Sequence, residues 1–266
     1  MNIISKLGHV FGLLPKHPVQ FYDRILAPLE FRYDRLWDKP AIHNTVGVGE
    51  CIRSLENVFH TNLAPFMKET ALKEIEEHVY IGSQSLRGEK FYYPGYNADS
   101  ALAKICYLIC RVLVPSIVVE TGVAYGVSSA FMLEALARNG KGALYSIDLP
   151  PLTPDGDRYI GALIPPALRG RWHLSKGRSR RILPHLLSSL QGVDFFLHDS
   201  LHTGRNVSFE LETVWPFLRP GGIIIADDVH ENSAFEDFAK LHDVTLSKSV
   251  QEEAKDSIFG VMVKRS

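Results

Sequence analysis

From residue 100 onward the apolar positions alternate between two periods. Short apolar runs at 117–120, 143–147, 171–174, 193–197 and 223–226 are each followed by a stretch in which apolar residues recur every three to four positions. The runs predict buried strands and the stretches predict helices, over 127–138, 179–190, 206–218 and 234–242. Gly140 and the Pro220-Gly221-Gly222 cluster punctuate them. Two closing runs, 244–247 and 258–264, add strands without an intervening helix. Strand–helix alternation of this kind predicts an α/β fold with a doubly wound, mostly parallel sheet, here of seven strands. A helix capped by Asp99 or Ser100, with Leu102, Ile105, Ile109 and Val112 on its inner face, leads in and stops at Pro115.

The first third has a different texture. Residues 1–50 read as irregular, with Phe21, Tyr22, Phe31, Tyr33 and Trp37 among charges and prolines. Residues 50–80 read as helical, with Leu72, Ile75 and Val79 on one face and acids opposite. Residues 82–97 read as a glycine-containing loop with Phe91, Tyr92, Tyr93 and Tyr96, a lid in waiting over a cleft. The organisation expected is an N-terminal extension and lid over 1–96 and a ligand-binding catalytic domain over 97–266. The proline-rich stretch 149–166 is expected to stay out of the core.

Composition changes this picture little. The 266 residues are 45% hydrophobic and 22% charged, with 29 basic and 30 acidic side chains and a net charge of −1. No overall field draws the chain to nucleic acid or to an anionic membrane. The basic group Arg169, Arg171, Lys176, Arg178, Arg180 and Arg181 is the one local exception. Cys51, Cys106 and Cys110 make no disulfide framework and fit a reducing compartment, with the cytoplasm as default. The apolar run near the N-terminus contains His9 and leads into Pro15-Lys16-His17-Pro18, so it is not read as a signal peptide. The segment 105–119 is broken by Arg111 and Pro115 and is too short to span a membrane. The aromatic N-terminal segment is compatible with a homo-oligomer.

In a doubly wound sheet, ligands bind beyond the carboxyl ends of the strands. The residues there are Glu120, Asp148, His198-Asp199 and Asp227-Asp228, so four of the five strand ends carry acids. Glu120-Thr121-Gly122-Val123-Ala124-Tyr125-Gly126 then turns into a helix opened by Ser128 and Ser129. That is a glycine turn delivering a nucleotide-like ligand to a helix N-terminus. Asp148 follows Gly122 by 26 positions and can accept from the hydroxyls of a ribose. Ala124 and the glycine spacing fit a dinucleotide fingerprint poorly. Plain alternatives exist for each residue: Asp148, Asp199 and Asp228 can cap the elements that follow them, and His202 can be a surface histidine.

Together these residues resemble the class I S-adenosylmethionine-dependent methyltransferases over about 97–266. The Glu120–Gly126 turn is similar to their first motif and Asp148 to their ribose-binding acid. Phe195 through Asp228 is similar to their fourth- and fifth-strand region. The resemblance implies cofactor contacts from Glu120, Gly122, Tyr125, Gly126, Ser128, Asp148 and Ser179. Gly177-Arg178-Ser179 departs from the family where many relatives hold an acid against the adenine. Asp199-Ser200-Leu201-His202 and Asp227-Asp228 resemble the metal-dependent sugar and macrolide O-methyltransferases. That resemblance implies magnesium on Asp199, Asp227 and Asp228, and His202 as the base. Three carboxylates at neighbouring strand ends would repel in a dry cleft, and a hard divalent cation relieves this. His198 and His230 are read as supporting or substrate contacts. The expectation is a methyltransferase acting on a hydroxyl of a saccharide or other hydroxylated small molecule. Its rivals are a cephalosporin-hydroxylase-like relative and a silent nucleotide- or partner-binding module.

Overall fold

A computed structural model of the chain describes residues 18–36, 38, 41, 43–89, 92–96, 98–150, 156–252 and 257–266. Phe91, Trp37 and the apolar run before Pro18 lie outside the described residues. Eight strands form one sheet in the order β1-β7-β8-β6-β5-β2-β3-β4, not the seven expected. Six of the strands follow the predicted scheme closely: β2 (Ile117–Thr121), β3 (Ala143–Asp148), β4 (Trp172–Lys176), β5 (Val193–His198), β7 (Val244–Gln251) and β8 (Ile258–Lys264). β6 (Leu218–Ala226) runs through Pro220-Gly221-Gly222, which was expected to be a turn. The addition is β1 (Thr45–Gly47), which pairs parallel to β7 at the far edge. Three residues are too few for a strand period to show in sequence.

β2 to β6 pair in parallel, while β8 runs antiparallel to both β6 and β7. Alternate residues of the central strands feed two separate cores. Val118, Phe195, Leu197, Ile223 and Ile225 pack on one face; Val119, Phe196 and Ile224 pack on the other. That is the period-2 alternation of a sheet covered on both sides.

The first face is covered by α2 (Val48–Phe59), α4 (Thr70–Leu86), α5 (Ser100–Leu113) and α6 (Val127–Asn139), with the single turn α3 (Ala64–Met67) between α2 and α4. The helices before residue 97 therefore share the core of the sheet. Asp99, not Ser100, caps α5, its Oδ1 accepting from Ala101 N at 2.7 Å. Cys106 and Cys110 are fully buried on α5, and burial pushes both thiols up, so they serve as packing groups. The second face is covered by α7 (Ser179–Ser189), α8 (Gly204–Val214) and α9 (Ala234–Leu241).

Besides residues 82–86, which were read as loop and continue α4, two expectations are corrected outside the sheet. Residues 18–35 are not irregular but form α1 (Pro18–Arg35), with a proline at its first position and Arg32 and Arg35 in its last turn, where each suits a helix. Its amphipathicity is largely inverted: Asp23, Arg24 and Asp34 are buried beside one apolar residue, Phe21, while Val19, Tyr22, Leu26, Leu29, Phe31 and Tyr33 are exposed. A core-facing apolar stripe is what sequence reading looks for, and α1 has none. The second correction concerns the stretch 149–166. Tyr159, Ile160, Leu163 and Ile164 are buried in short 3₁₀ and turn structure, which has no long period to reveal it. Among the described residues no helix is long and apolar enough to cross a membrane.

Candidate active site

The chain runs β2, β3, β4 in one direction across the sheet and then returns to place β5 and β6 on the other side of β2. The carboxyl ends of β2 and β5 therefore flank the switch point, where a crevice must open. A cavity of about 740 Å³ lies there. Gly122, Ala124 and Tyr125 line it after β2, Asp148 and Leu149 at β3, and Gly177 to Arg180 after β4. Asp199 to His202 line it after β5, and Asp227 and Asp228 after β6. Ala27 and Glu30 of α1, Tyr159 and Ile160, and Gly95 and Ala98 also line it, with Ile147, Asn206 and Ser257.

Backbone hydrogen bonds carry the strand order past the strand ends. Gly122 N donates to Ile147 O at 2.9 Å, Asp199 N to Thr121 O at 2.8 Å and Asp227 N to His198 O at 2.9 Å. Because His198 is in register with Ala226 on the neighbouring strand, Asp199 and Asp227 follow side by side. The turn of Gly122 is also dictated. Its φ is +84°, and a Cβ there would stand 1.8 Å from Asp199 O, so a side chain is excluded.

Asp148 grips the same turn. Its Oδ2 accepts from Ala124 N at 2.9 Å and Val123 N at 3.3 Å, holding Ala124 at a φ of +44°. Burial raises the Asp148 pKa, opposed by the donated N–H groups of Ala124, Leu149 and Val123. Three expected cofactor contacts do not line the cavity. Glu120 is fully buried beneath the turn, where its carboxylate accepts from Ser128, Ser129 and Ser146 hydroxyls at 2.7–2.8 Å. Burial pushes its pKa up to about 7 against those three hydroxyls. Ser128 is thereby spent on Glu120, and Gly126 packs against Gly161 and Ile164. Tyr125 does line the cavity. Its Oη accepts from Tyr93 N at 2.9 Å, and its ring meets Tyr92 and Tyr159 at centroid distances of 4.7 and 6.3 Å.

At the acidic end, one ligand atom each from Asp199, His202 and Asp227 lies within 4.8 Å of the other two. Asp228 stands just outside this triplet, at a φ of +50°, with Oδ2 3.9 Å from His202 Nε2. Asp199 Oδ1 is 3.7 Å from the same nitrogen. His202 Nδ1 is 3.3 Å from Asp227 O, so a proton on Nδ1 leaves the Nε2 lone pair toward the carboxylates. Burial first, then the charges of Asp227, Glu120 and Asp228, raise the Asp199 pKa well above the carboxylate range. The donor set fits a hard divalent cation, which removes that repulsion.

Glu210 was not foreseen. It sits in α8, fully buried, and accepts from Thr121 Oγ1 at 2.5 Å, Ser200 Oγ at 2.8 Å and Asn206 Nδ2 at 3.0 Å. Burial alone would raise its pKa, but the His198 charge and hydrogen bonds from His198, Ser179 and Thr121 hold it down at about 2. The one sequence signal is an acid on the apolar face of Val207, Leu211 and Val214. His198 is fully buried, does not line the cavity and is turned to Glu210. His230 Nδ1 accepts from Ile258 N at 3.4 Å and stands 3.9 Å from Asp228.

The expected basic patch is an internal network. Arg178 pairs with Glu30, Arg181 with Asp23 and Lys176 with Asp157, while Arg169 and Arg171 donate to main-chain oxygens. Arg24 reaches Pro150 O at 2.5 Å and Asp38 accepts from Gly204 N at 2.9 Å. These bonds fasten the inverted face of α1 over the cleft.

No curated protein sequence matches the chain. Residues 119–229 match the family model described as a methyltransferase domain. Several solved structures share the fold. The O-methyltransferase TomG of Streptomyces achromogenes, involved in tomaymycin synthesis and solved with S-adenosylmethionine, is 19% identical over 71% of this chain and 90% of its own, with a TM-score of 0.58. The O-methyltransferase of Bacillus cereus, solved with S-adenosylhomocysteine, is 16% identical over 81% of this chain and 97% of its own, with a TM-score of 0.55. A putative caffeoyl-CoA O-methyltransferase of Staphylococcus aureus is 12% identical over 70% of this chain and 91% of its own, with a TM-score of 0.54. With its glycine turn at the switch point and its antiparallel closing hairpin, this chain shares the Rossmann-like fold of these solved methyltransferases, and its residues 119–229 are similar to a methyltransferase domain.

Proposed function

We propose that the chain transfers a methyl group from S-adenosylmethionine to a hydroxyl of a saccharide or other small hydroxylated acceptor. The observation that carries this reading is one cavity lined both by the Gly122 turn with Asp148 and by the Asp199, His202 and Asp227 cluster. The O-methyltransferases among its structural neighbours support it.

Gly122, Tyr125, Asp148 and Ser179 bind and orient the cofactor. Asp199, Asp227 and Asp228 would hold a magnesium ion, which would supply Lewis-acid activation of an acceptor hydroxyl. His202 Nε2, whose lone pair faces the carboxylates when Nδ1 carries the proton, accepts the acceptor proton. The α1 roof and Tyr159 keep water from the transfer. A second assignment follows from the 4.8 Å triplet, which makes His202 a metal ligand in place of Asp228.

Calorimetry with S-adenosylmethionine, followed by methyl transfer to a panel of sugars and phenols with magnesium or EDTA, tests the reading. Binding of the cofactor and chelator-sensitive transfer are expected. Transfer indifferent to EDTA would remove the metal assignment. His202→Ala keeps magnesium binding if His202 is the base and loses it if His202 is a ligand.

A further inference from the structure

Three arginines stand at the start of α7, and two of them are taken. Arg178 pairs with Glu30, and Arg181 with Asp23 at 2.5 Å. Arg180 is different. Its Nε and Nη2 are buried and have no hydrogen-bond partner. Among the described residues the one carboxylate within 4 Å is Asp34, at 3.7 Å from Nη2. That is beyond hydrogen-bond reach. Both Asp34 oxygens are already used, Oδ2 by Thr203 Oγ1 at 3.0 Å and Oδ1 by Arg205 Nη1 at 3.1 Å.

The guanidinium is nevertheless held. Its carbon lies 5.1 Å from the centroid of the Phe209 ring, a cation–π contact that leaves the N–H edge free. Arg180 lines the large cavity together with Asp199, His202 and Asp228, and also borders a recess of about 220 Å³ beneath α1 beside Leu29 and Tyr33. Buried N–H groups left unpaired are costly and rare in folded proteins, and those of a charged group more so. A guanidinium stacked on an aromatic ring with a free edge is suited to an oxyanion, carboxylate or phosphate.

The acidic cluster gives such an anchor a purpose. Asp199, Asp227 and Asp228 carry three charges against the two of a divalent cation, so an acceptor that bears an acid is better held by a cation away from them. β4, which leads into α7, is separated from β6 by β5, β2 and β3. We propose that Arg180 receives an acidic group of the methyl acceptor, so that the substrate is a hydroxylated carboxylate or phosphate ester and not a neutral sugar. This deepens, and rests on, the methyl-transfer reading of the cavity.

The test uses the full chain saturated with S-adenosylmethionine and titrated calorimetrically with inorganic phosphate, D-glucuronate and D-glucose. Wild type is expected to bind at least one anion, and Arg180→Met to bind it roughly tenfold more weakly or worse. Binding of phosphate alone identifies a phosphate ester, and of glucuronate alone a carboxylate. Arg180→Lys, which keeps the charge without the fork, should fall between the two in anion affinity. The proposal is overturned if neither anion binds wild type, or if both bind Arg180→Met equally well. It is also overturned if Arg180→Met weakens S-adenosylmethionine roughly tenfold, which would assign the arginine to the cofactor. Failure of wild type to bind S-adenosylmethionine sinks the methyl-transfer reading instead, and anion titration without the cofactor still reads Arg180.

Discussion

His198 Nδ1 and Glu210 Oε2 lie 2.6 Å apart with neither side chain exposed, one residue before Asp199 in the chain. This pair belongs to a buried polar cluster with Thr121, Ser200 and Asn206. It ties α8 to the ends of β2 and β5, which is where the chemistry is proposed. Removing the carboxylate takes away the acceptor shared by the Thr121, Ser200 and Asn206 donors, and an unsatisfied buried group costs about 1–3 kcal/mol. Glu210→Ala should lose about that much stability in urea unfolding at neutral pH.

The same glutamate sets an acid limit. Its pKa is held at about 2 against an ordinary 4.5. A depressed carboxylate contributes stability above its unfolded pKa and loses it as the pH falls through the folded value. The stability gap between wild type and Glu210→Gln should therefore narrow from pH 4.5 toward pH 2. A gap constant over that range would show that the carboxylate charge is irrelevant.

Glu120 has the opposite sign. Its pKa is raised from 4.5 to about 7, so the proton is bound more tightly in the folded protein. That contribution is full below pH 4.5 and disappears as the pH rises to about 7, amounting to about 3 kcal/mol over the interval. Glu120→Gln should lack this slope in a pH series of unfolding curves, and wild type should show it.

Gly122→Ala should damage fold and site together. A φ of +84° costs a non-glycine residue roughly 1 kcal/mol or more, and the new Cβ would fall 1.8 Å from Asp199 O. The cleft between the ends of β2 and β5 must spread, so loss of S-adenosylmethionine binding is expected along with a fall in melting temperature. Gly140→Ala is the control: its φ is +66°, but a Cβ there meets nothing within 4 Å. That variant should lose roughly 1 kcal/mol and keep its cofactor affinity.

Asp199→Asn should abolish the response to magnesium. Burial and the neighbouring carboxylates raise the wild-type Asp199 pKa, so relief of repulsion should make the variant at least as stable as wild type without a cation. Millimolar magnesium should raise the wild-type melting temperature by linkage and leave the variant unmoved. Melting curves in EDTA and in magnesium read both effects. Equal magnesium responses would remove Asp199 from the metal site.

The alternation of strands and helices after residue 100 was legible because each element buries a periodic face against a neighbour. The acids at the strand ends were legible for a related reason. In a parallel sheet every carboxyl end faces the same edge, so their meeting follows from chain order alone. α1 was not legible, because its apolar residues point outward and its charged face points inward. Glu210 was not legible either. A single acid on the apolar face of a helix looks like a flaw until Thr121, His198, Ser200 and Asn206 come to it from 4 to 89 positions away.

The chain by itself therefore determined the sheet, its working edge and the residue types gathered there. Tertiary structure decided which of them face the cavity: it turned Glu120, Ser128 and Gly126 into supports for the turn, and it left Asp228 just outside the Asp199, His202 and Asp227 triplet. It also paired five of the six basic residues between 169 and 181 and left Arg180 without a hydrogen-bonded partner at Nε and Nη2. Periodicity reports whether a side chain is buried. Which buried partner satisfies it depends on contacts between elements distant in the chain, and no local pattern encodes those.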